Sequence, residues 1–342
     1  MQSLLEIAGD YLEGGGQILR TALALSCILQ RPVRIYNIRA KRPNPGLQAQ
    51  HFAVIRALRE LTSAKVEGFF LGSKEIKFHP SKINSLSLDI DIQTAGSIGL
   101  FLQALIPVGV FSEEGILLNI KGGTTGKSAI PIEYYSAVII PTLKKIGIMM
   151  ELELIKRGYY PKGGGQVKVR VFPKKEFKEL NLTQQGVPQE IQGISHAHKE
   201  LKRKDVSERQ RDALVKVLSE NFNCPIRIEC EYSQASSLGS GVVVWLKTDT
   251  EAILGADAMG EIKKPAEEVG KEAGLKLIEE FRSKAVVDRH LADNLILWLA
   301  FCRGRFKTSQ ISLHTQTNIW LVENFLGIKF KIEDNLIQLN LS

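Results

Sequence analysis

The sequence predicts an α/β fold, of the α+β kind, in which three similar units form a large domain and a smaller α/β domain interrupts it. Two observations indicate this arrangement. An order of helix, strand, helix, strand and strand occurs three times, at spacings too uneven for a solenoid. From about residue 182 to residue 275, between the second and third copies, the pattern of apolar residues changes. We therefore expect each unit to place a sheet on one side and two helices on the other.

The elements of each unit follow from the spacing of apolar residues, which recur every three to four positions in a helix and at alternate positions in a half-buried strand. In the first unit we predict helices at 16–30 and 47–61, a strand at 33–40 and two short strands ending at 78. In the second we predict helices at 98–110 and 132–146 and strands at 116–120, 149–155 and 166–171. In the third we predict helices at 291–302 and 314–326 and strands at 307–312, 328–332 and 336–341.

The intervening segment is typical of a small folded domain and not of a linker, because turn, strand and helix signals are dense. We predict helices at 206–221 and about 265–281 and strands at 226–232 and 241–248. The predicted division is therefore 1–181 with 276–342 for the large domain and 182–275 for the insert. The basic run Lys199–Lys204 is either an RNA-facing patch or a solvated surface. The second interpretation is favoured, since no aromatic residues interleave with it to stack bases.

Length and composition indicate a soluble protein of about two domains, because 342 residues exceed what one core usually supports. The four cysteines lack paired spacing, which favours a reducing compartment. No apolar run approaches the roughly 20 residues of a membrane span, and no signal segment is evident. We expect a cytoplasmic location, or a nuclear one in a eukaryote, and no membrane partner; a homo-oligomer is left open. The formal net charge of +8 permits an anionic partner but does not require one.

Two segments carry three consecutive glycines, at residues 14–16 before a predicted helix and at 163–165 before a predicted strand. Glycines before a helix expose amide donors that suit a phosphate, and Arg20 follows the first segment by one helical turn. For the second segment a tight turn is the favoured interpretation. Residues 122–128 end in Gly-Lys-Ser, but Lys121 stands where the first glycine of a phosphate-binding loop is required.

A cationic cluster lies at the end of the strand predicted at 33–40 and in the loop and helix that follow it. Arg39 and Arg42 lie on a proline-stiffened loop, and Gln50 and His51 belong to the first turns of the helix that it opens. Guanidinium groups bind phosphate oxygens bidentately, and a helix start adds amide donors. Alternatively, the Pro-Asn-Pro-Gly segment only separates strand from helix and leaves the arginines solvated. The phosphate interpretation is favoured because the cations and the helix start converge on one side.

Residues 290–294 and 314–318 both lie at helix starts in the third unit, so their side chains can face one pocket. A histidine at a helix N-terminus tends to stay neutral, and a neutral imidazole carries the lone pair that a nucleophile requires. Spacing alone does not distinguish His314 from a capping or surface residue.

Together these segments resemble the RNA 3'-terminal phosphate cyclase family, in nearly all of the larger domain and in the position of the insert. The segments that match are 13–17 with Arg20, 39–51, 157–165, 291–294, and His314 with Thr317 and Asn318. The resemblance implies three repeats like the C-terminal domain of translation initiation factor three, and an insert of thioredoxin-like topology. It also implies ATP-dependent conversion of an RNA 3'-terminal phosphate to a 2',3'-cyclic phosphate, through a covalent histidine-AMP intermediate and an adenylylated RNA end. The implied cofactors are ATP and a divalent metal, Mg²⁺ or Mn²⁺, and the implied partner is RNA with a 3'-terminal phosphate.

The resemblance assigns roles residue by residue. His314 is the implied nucleophile, and Glu13 the implied metal ligand. The residues implied to bind ATP are Gln103, His290, Leu291, Ala292, Asp293 and Asn294. The residues implied to bind the RNA terminal phosphate are Arg20, Arg39, Arg42, Gln50 and His51. The chain departs from the family pattern at three places: His290 where tyrosine is frequent, Asn294 where glutamine is common, and Pro131, which is displaced by one position.

Three alternatives remain beside this interpretation. The same fold occurs in a ribosome-biogenesis relative that lacks the catalytic histidine, and the presence of His314 favours the enzyme over such an RNA-binding role. A carbohydrate-pathway transferase fits the arginine and glycine segments poorly. A zinc site from two histidines and two cysteines is disfavoured because neither pair has the usual close cysteine spacing; its candidate ligands are His196, His198, Cys224 and Cys230.

Overall fold

The computed structural model describes residues 3–84, 86–126 and 129–340. The first unit contains β1 (Leu5–Ala8), α1 (Gly16–Leu29), β2 (Val33–Tyr36), α2 (Ala49–Thr62), β3 (Lys65–Glu67) and β4 (Ile76–His79). The second contains β5 (Ser87–Asp91), α3 (Ile98–Val110), β6 (Ile116–Gly122), α4 (Ile132–Tyr134), a π-helical segment (Tyr135–Ile139), α5 (Ile140–Lys145), β7 (Met150–Lys156) and β8 (Gly165–Val171). In the described part of the chain, no helix is both long enough and apolar enough to cross a membrane.

The third unit is split by the insert. Its first strand is β9 (Leu180–Leu182). The insert contains β10 (Pro188–His198), a 3-10 helix (Lys199–Lys204), α6 (Val206–Ser219), β11 (Ile226–Ser233), β12 (Ser240–Thr248), β13 (Ile253–Met259) and α7 (Ala266–Arg282). The third unit then continues with α8 (Arg289–Cys302), β14 (Gly304–Lys307), α9 (Leu313–Leu326), β15 (Lys329–Glu333) and β16 (Leu336–Asn340).

The mixed α/β architecture is confirmed, and three of its sheets have the same design. Their strand orders are β1-β2-β4-β3, β5-β6-β8-β7 and β9-β14-β16-β15. In each sheet the first strand is parallel to the second, and the other two pair antiparallel. One hydrophobic core runs through all three units, and α1 packs against α2, α3 and α9. The first unit therefore lies directly against both of the others.

The insert has a sheet and a core of its own. Its strand order is β11-β10-β12-β13, with β10 parallel to β11 and the other pairs antiparallel. Helices α6 and α7 pack together and bury apolar residues against this sheet. The predicted domain division stays a prediction; α7 crosses its second boundary, with Leu277 and Ile278 in the insert's core.

Several predicted elements were wrong in position or were missing. The strand predicted at 33–40 ends at Tyr36, because Asn37 and Arg39 adopt positive φ and turn the chain. The strand predicted at 307–312 begins at Gly304, whose φ of +98° places the chain in the sheet directly after α8. The helix predicted at 132–146 contains the π-helical segment. Strands absent from the prediction are β1, β5, β9, β10 and β13.

Candidate active site

The predicted site residues lie mainly at the N-termini of four helices, and side-chain contacts join these helix starts. Gln17 in α1 contacts His314 in α9, and Asp293 in α8 contacts the residues that open α9. Arg42, before α2, forms an ion pair with Glu13, before α1. Positive ends of four helix dipoles therefore surround one region, which favours bound anions.

The start of α9 is fixed by a network around the Asp293 carboxylate. Ser312 is the N-cap, and its hydroxyl accepts a hydrogen bond from the Thr315 amide at 2.9 Å. The hydroxyls of Ser312 and Thr315 both donate to Asp293 Oδ1, at 2.7 and 2.6 Å. Asn318 Nδ2 donates to the Asp293 carbonyl at 2.7 Å. Asp293 therefore positions His314 through the helix start, and its carboxylate makes no hydrogen bond to the imidazole.

Gln17 determines which ring nitrogen of His314 carries the proton. Its side-chain Nε2 donates to the His314 carbonyl at 2.9 Å, which fixes the orientation of the amide. The amide oxygen Oε1 then faces His314 Nδ1, and because this oxygen only accepts, Nδ1 must donate. Nε2 of the neutral ring is left with the free lone pair, as a nucleophile requires. Sequence reasoning missed Gln17 as a site residue, although it closes the 13–17 segment that suggested the site.

The surroundings of His314 keep it neutral. Desolvation by neighbouring protein atoms lowers the pKa of His314 below its ordinary value, and the charges of Arg20 and Arg42 act in the same direction. The nearby Asp293 opposes them. The net direction is downward, so at neutral pH the imidazole is unprotonated.

Arg20 and His51 form the inner part of what we call the phosphate-binding cluster, the five residues predicted to bind the terminal phosphate. Arg20 is buried, and burial together with the charge of Arg39 lowers its pKa to about 10, against the effect of Tyr135. Its guanidinium therefore stays charged at neutral pH, and its buried Nε has no hydrogen-bond partner. Such an orphaned donor is suited to an anionic ligand, because an unpaired buried polar group is otherwise unfavourable.

His51 is neutral and presents a donor. Burial, with the charges of Arg20 and Arg39, lowers the pKa of His51 to about 3. Its Nδ1 accepts a hydrogen bond from the Gln48 amide at 3.1 Å, so Nε2 carries the proton. A Cβ on Gly16 would lie 2.1 Å from that Nε2, and for this reason residue 16 must be glycine. The first glycine segment thus lets His51 reach the start of α1.

Arg39 lies further out, at the turn after β2. Its Nε donates to the Asn44 carbonyl at 3.3 Å, and burial lowers its pKa. Gln50 extends from α2 with Nε2 3.5 Å from His51 Nε2. The five residues predicted to bind a terminal phosphate are therefore grouped around the starts of α1 and α2.

Glu13 is the carboxylate nearest to this cluster. It forms an ion pair with Arg42, whose Nη2 also donates to the Glu13 carbonyl at 3.2 Å. Glu13 Oε2 is buried without a hydrogen-bond partner. Among the residues that the structure describes, no group of three or more His, Cys, Asp or Glu side chains could hold a metal. A single free carboxylate oxygen fits a Mg²⁺ ion that takes its other ligands from phosphates and water.

Three of the six residues predicted to bind ATP line a cavity of about 40 Å³ between α3, the π-helical segment and α8. Gln103, Asp293 and Asn294 line it, and Gln103 Nε2 donates to Asn294 Oδ1 at 3.2 Å. This volume is far below the roughly 300 Å³ of small ligand sites, so a nucleotide does not fit inside the cavity. The side chains of Leu291 and Ala292 are buried in the core and support the helix from behind.

His290 projects from a firmly capped helix start. Asp288 caps α8 by accepting from the amides of His290 and Leu291, at 2.9 and 3.0 Å. Asp288 also accepts from the Tyr134 hydroxyl at 2.5 and 2.7 Å and from the Gly255 amide of the insert at 2.9 Å. The His290 ring lies edge-on to Tyr134, with centroids 6.1 Å apart. Sequence reasoning missed Asp288, whose signal was an aspartate directly before an apolar-periodic helix.

A neutral histidine beside guanidinium groups and helix starts is typical of a protein that binds phosphate groups. Comparison with known sequences gives the family. A family model described as RNA 3'-terminal phosphate cyclase matches residues 11–332. The chain belongs to the RNA 3'-terminal phosphate cyclase family.

Curated relatives agree over nearly the whole chain. The protein named RNA 3'-terminal phosphate cyclase from Pyrococcus abyssi is 44% identical over 330 residues, covering 96% of this chain and 95% of the relative. The protein of that name from Thermococcus kodakarensis is 46% identical over 329 residues, covering 96% and 94%. The one from Korarchaeum cryptofilum is 42% identical over 331 residues, also covering 96% and 94%. None of these names refers to ribosome biogenesis.

Proposed function

We propose that this protein converts an RNA 3'-terminal phosphate into a 2',3'-cyclic phosphate at the expense of ATP, with His314 as the nucleophile. The observation that carries the proposal is the pair of hydrogen bonds between Gln17 and His314, one donated by each residue, which leaves the lone pair of His314 Nε2 free. The names of the curated relatives support the same activity.

In the first step, His314 Nε2 attacks the α-phosphorus of ATP. A nitrogen-phosphorus bond forms, the bond to the bridging oxygen breaks, and pyrophosphate leaves. The helix start of α9 and the charges of Arg20 and Arg42 stabilise the negative charge that develops on the phosphate oxygens. Gln17 accepts the hydrogen bond from Nδ1 while the ring becomes cationic.

In the second step, an oxygen of the RNA 3'-phosphate attacks the same phosphorus, and His314 leaves with its electron pair. The product is an RNA end joined to AMP through a pyrophosphate linkage. In the third step, the ribose 2'-hydroxyl gives its proton to solvent and attacks the terminal phosphorus; a ring P–O bond forms, the P–O bond to AMP breaks, and AMP leaves. Adenylylation is needed because a phosphate oxygen is a poor leaving group and AMP is a good one. Arg20, Arg39 and His51 hold the terminal phosphate in both steps.

A divalent ion would be held by Glu13 and would neutralise the triphosphate charge. Arg42 pairs with the other oxygen of the same carboxylate. Mg²⁺ and Mn²⁺ both accept oxygen ligands of this kind.

We also propose that the three units share the fold of the C-terminal domain of translation initiation factor three. Their identical strand orders and directions support this assignment. The β10-α6-β11 unit with parallel strands, followed by antiparallel β12 and β13 and helix α7, supports a thioredoxin-like topology for the insert.

The proposal is tested by mixing the purified protein with ATP labelled at the α-phosphate, without RNA. We expect a label on the protein that is labile in acid and stable in alkali, and its loss in His314→Ala. His79→Ala is the matched control, because His79 is the last residue of β4, whose opposite end faces the site. Full labelling of His314→Ala would refute the assignment of the nucleophile.

Three oligonucleotides then distinguish the enzyme from an RNA-binding protein. An RNA that ends in a 3'-phosphate should be cyclised, and one that ends in a 3'-hydroxyl should be inert. A strand whose terminal residue carries a 3'-phosphate but no 2'-hydroxyl should accept AMP and accumulate as the adenylylated end. If none of the three leads to consumption of ATP, the chain is a binding protein and the enzymatic proposal fails.

A further inference from the structure

An exposed aromatic patch lies beside the phosphate-binding cluster. The loop between β3 and β4 carries Phe70 and Leu71, which are 62% and 63% exposed. The preceding residue, Phe69, stacks on Phe52 of α2, with ring centroids 4.0 Å apart and planes inclined by 10°. We call Phe52, Phe69, Phe70 and Leu71 the aromatic lip. Aromatic and leucine side chains this exposed usually mark a binding surface when they adjoin one another.

Backbone hydrogen bonds attach the aromatic lip to the phosphate-binding cluster. The Gly72 amide donates to the Leu47 carbonyl at 2.8 Å, and the Leu47 amide donates to the Ser73 carbonyl at 2.9 Å. The Ile38 amide donates to the Lys74 carbonyl at 2.9 Å. The loop of the lip is thus bonded on both sides of the 39–46 loop. Phe52 itself directly follows His51 in α2.

The charges of these two loops identify the chemistry of the partner. Residues 37–51 and 68–74 contain four cationic side chains, Arg39, Lys41, Arg42 and Lys74, and no acidic one. Glu67 and Glu75 flank the second segment, and they pair with Lys77 and Arg34. A surface that combines flat apolar rings with an excess of cations suits a single-stranded nucleic acid, whose bases stack while its phosphates pair with the cations. A protein partner would need an acidic surface to match these cations.

We propose that the aromatic lip is a base-binding subsite, in which Phe70 stacks on a base of one of the last two nucleotides of the RNA. This inference rests on the proposed function, because the terminal phosphate must be held by Arg20, Arg39 and His51 for the adjoining base to reach the lip. The helix start of α2 separates the two subsites, with His51 on the phosphate side and Phe52 on the base side. The subsite gives affinity for RNA without choosing a base, since every base has a face that can stack.

The test compares Phe70→Ala with the wild type at saturating ATP, with RNA 3'-phosphates as substrates. Removal of a stacking ring should raise the KM for RNA about 5- to 150-fold, since stacking contributes roughly 1–3 kcal/mol per base. Phe70→Trp should retain the low KM, because the ring is kept. Ile262→Ala is the matched control, since Ile262 is 95% exposed but belongs to the insert.

A second substrate series shows whether the contact is with a base. In these RNAs the terminal or the penultimate base is replaced by hydrogen, while the ribose hydroxyl and the 3'-phosphate remain. For one of these RNAs, the KM of the wild type should rise. The factor should equal the rise that Phe70→Ala shows with normal RNA. Phe70→Ala should show no further loss, because interacting groups are not additive. Equal KM values for wild type and Phe70→Ala, or an additive loss, would overturn the proposal.

Labelling of the protein by ATP alone separates this inference from the proposed function. Phe70→Ala should be labelled at the wild-type rate, because the lip acts only on RNA. A wild type that is never labelled and never cyclises RNA contradicts the proposed function itself. If the wild type is active and Phe70→Ala has the same KM for RNA, only the subsite is contradicted. If Phe70→Ala instead changes the oligomeric mass in the absence of RNA, the lip is an interface between copies of the chain and the proposal fails.

Discussion

The contacts of Gln17 predict that its replacement slows the first chemical step while leaving the protein folded. Its amide donates to the His314 carbonyl at 2.9 Å and accepts from His314 Nδ1. During attack on ATP the imidazole gains positive charge, so the second of these bonds becomes charge-assisted. Hydrogen bonds to charged groups contribute roughly 1.5–3 kcal/mol, which corresponds to a rate loss of about 10- to 150-fold when the acceptor is removed.

Two substitutions separate the hydrogen bonds from simple packing. Gln17→Ala removes the bonds and the volume, whereas Gln17→Met removes the bonds and keeps most of the volume of this buried side chain. Both should label slowly with α-labelled ATP in single-turnover experiments. Gln316→Ala is the matched control, because Gln316 lies on the same helix as His314 and its side chain donates to the Ile311 carbonyl at 3.4 Å.

The result that would refute this reasoning is a labelling rate for Gln17→Ala within about twofold of the wild type, with His314 still the labelled residue. It would show that the tautomer of His314 is set by the bound nucleotide and not by the free protein. Slow labelling of Gln17→Ala with normal labelling of Gln17→Met would assign the effect to packing. Thermal unfolding of each variant checks that the fold is retained.

Further predictions concern pH, substrate order and stability. The labelling rate should fall as the pH decreases, with a midpoint below the ordinary histidine value of about 6.5, because the pKa of His314 is lowered and only the protonated ring lacks the lone pair; a midpoint at or above 6.5 in the rate profile would contradict this. Arg39→Ala should slow transfer of AMP to RNA far more than labelling by ATP, whereas equal losses in both steps would place Arg39 on ATP; Lys65→Ala is the exposed control. The pKa of His51 falls from 6.5 to about 3 on folding, so the unfolded chain binds this proton first and stability decreases as pH falls below about 6.5. His51 alone should lower the unfolding free energy by about 2 kcal/mol between pH 7 and 5. In urea titrations, the unfolding free energy of His51→Gln should therefore fall over this pH range by about 2 kcal/mol less than that of the wild type.

The long helices were predictable, because each buries one face and repeats its apolar positions over three turns or more. α1, α2, α8 and α9 all lie close to their predicted positions. The first strand of each unit was not predictable in the same way. β1, β5 and β9 have four, five and three residues, too few for alternation to stand out from a loop. What specifies them is the neighbouring strand, and that pairing is not visible in the sequence.

In the candidate site too, groups of residues close in sequence were predictable and contacts between distant residues were not. The sequence placed Arg39, Arg42, Gln50 and His51 together because a single loop and helix start hold them within local reach. The role of Gln17 depends on His314, 297 residues away, and no local pattern records that contact. The same applies to Asp293, which the resemblance placed at the nucleotide and which the structure also shows bonded to the start of α9.

Two histidines at the starts of equivalent helices show how the fold gives one residue type two functions. His51 opens α2 of the first unit, and His314 opens α9 of the third, the second helix of each unit. Both are neutral, because burial and the surrounding cations lower their pKa values. At His51 the Gln48 amide donates to Nδ1, which leaves Nε2 as a hydrogen-bond donor. At His314 the Gln17 oxygen accepts from Nδ1, which leaves Nε2 with the lone pair that the proposed nucleophile requires. In the proposed reaction, the hydrogen bond at Nδ1 therefore decides whether a helix-start histidine binds a phosphate or attacks one.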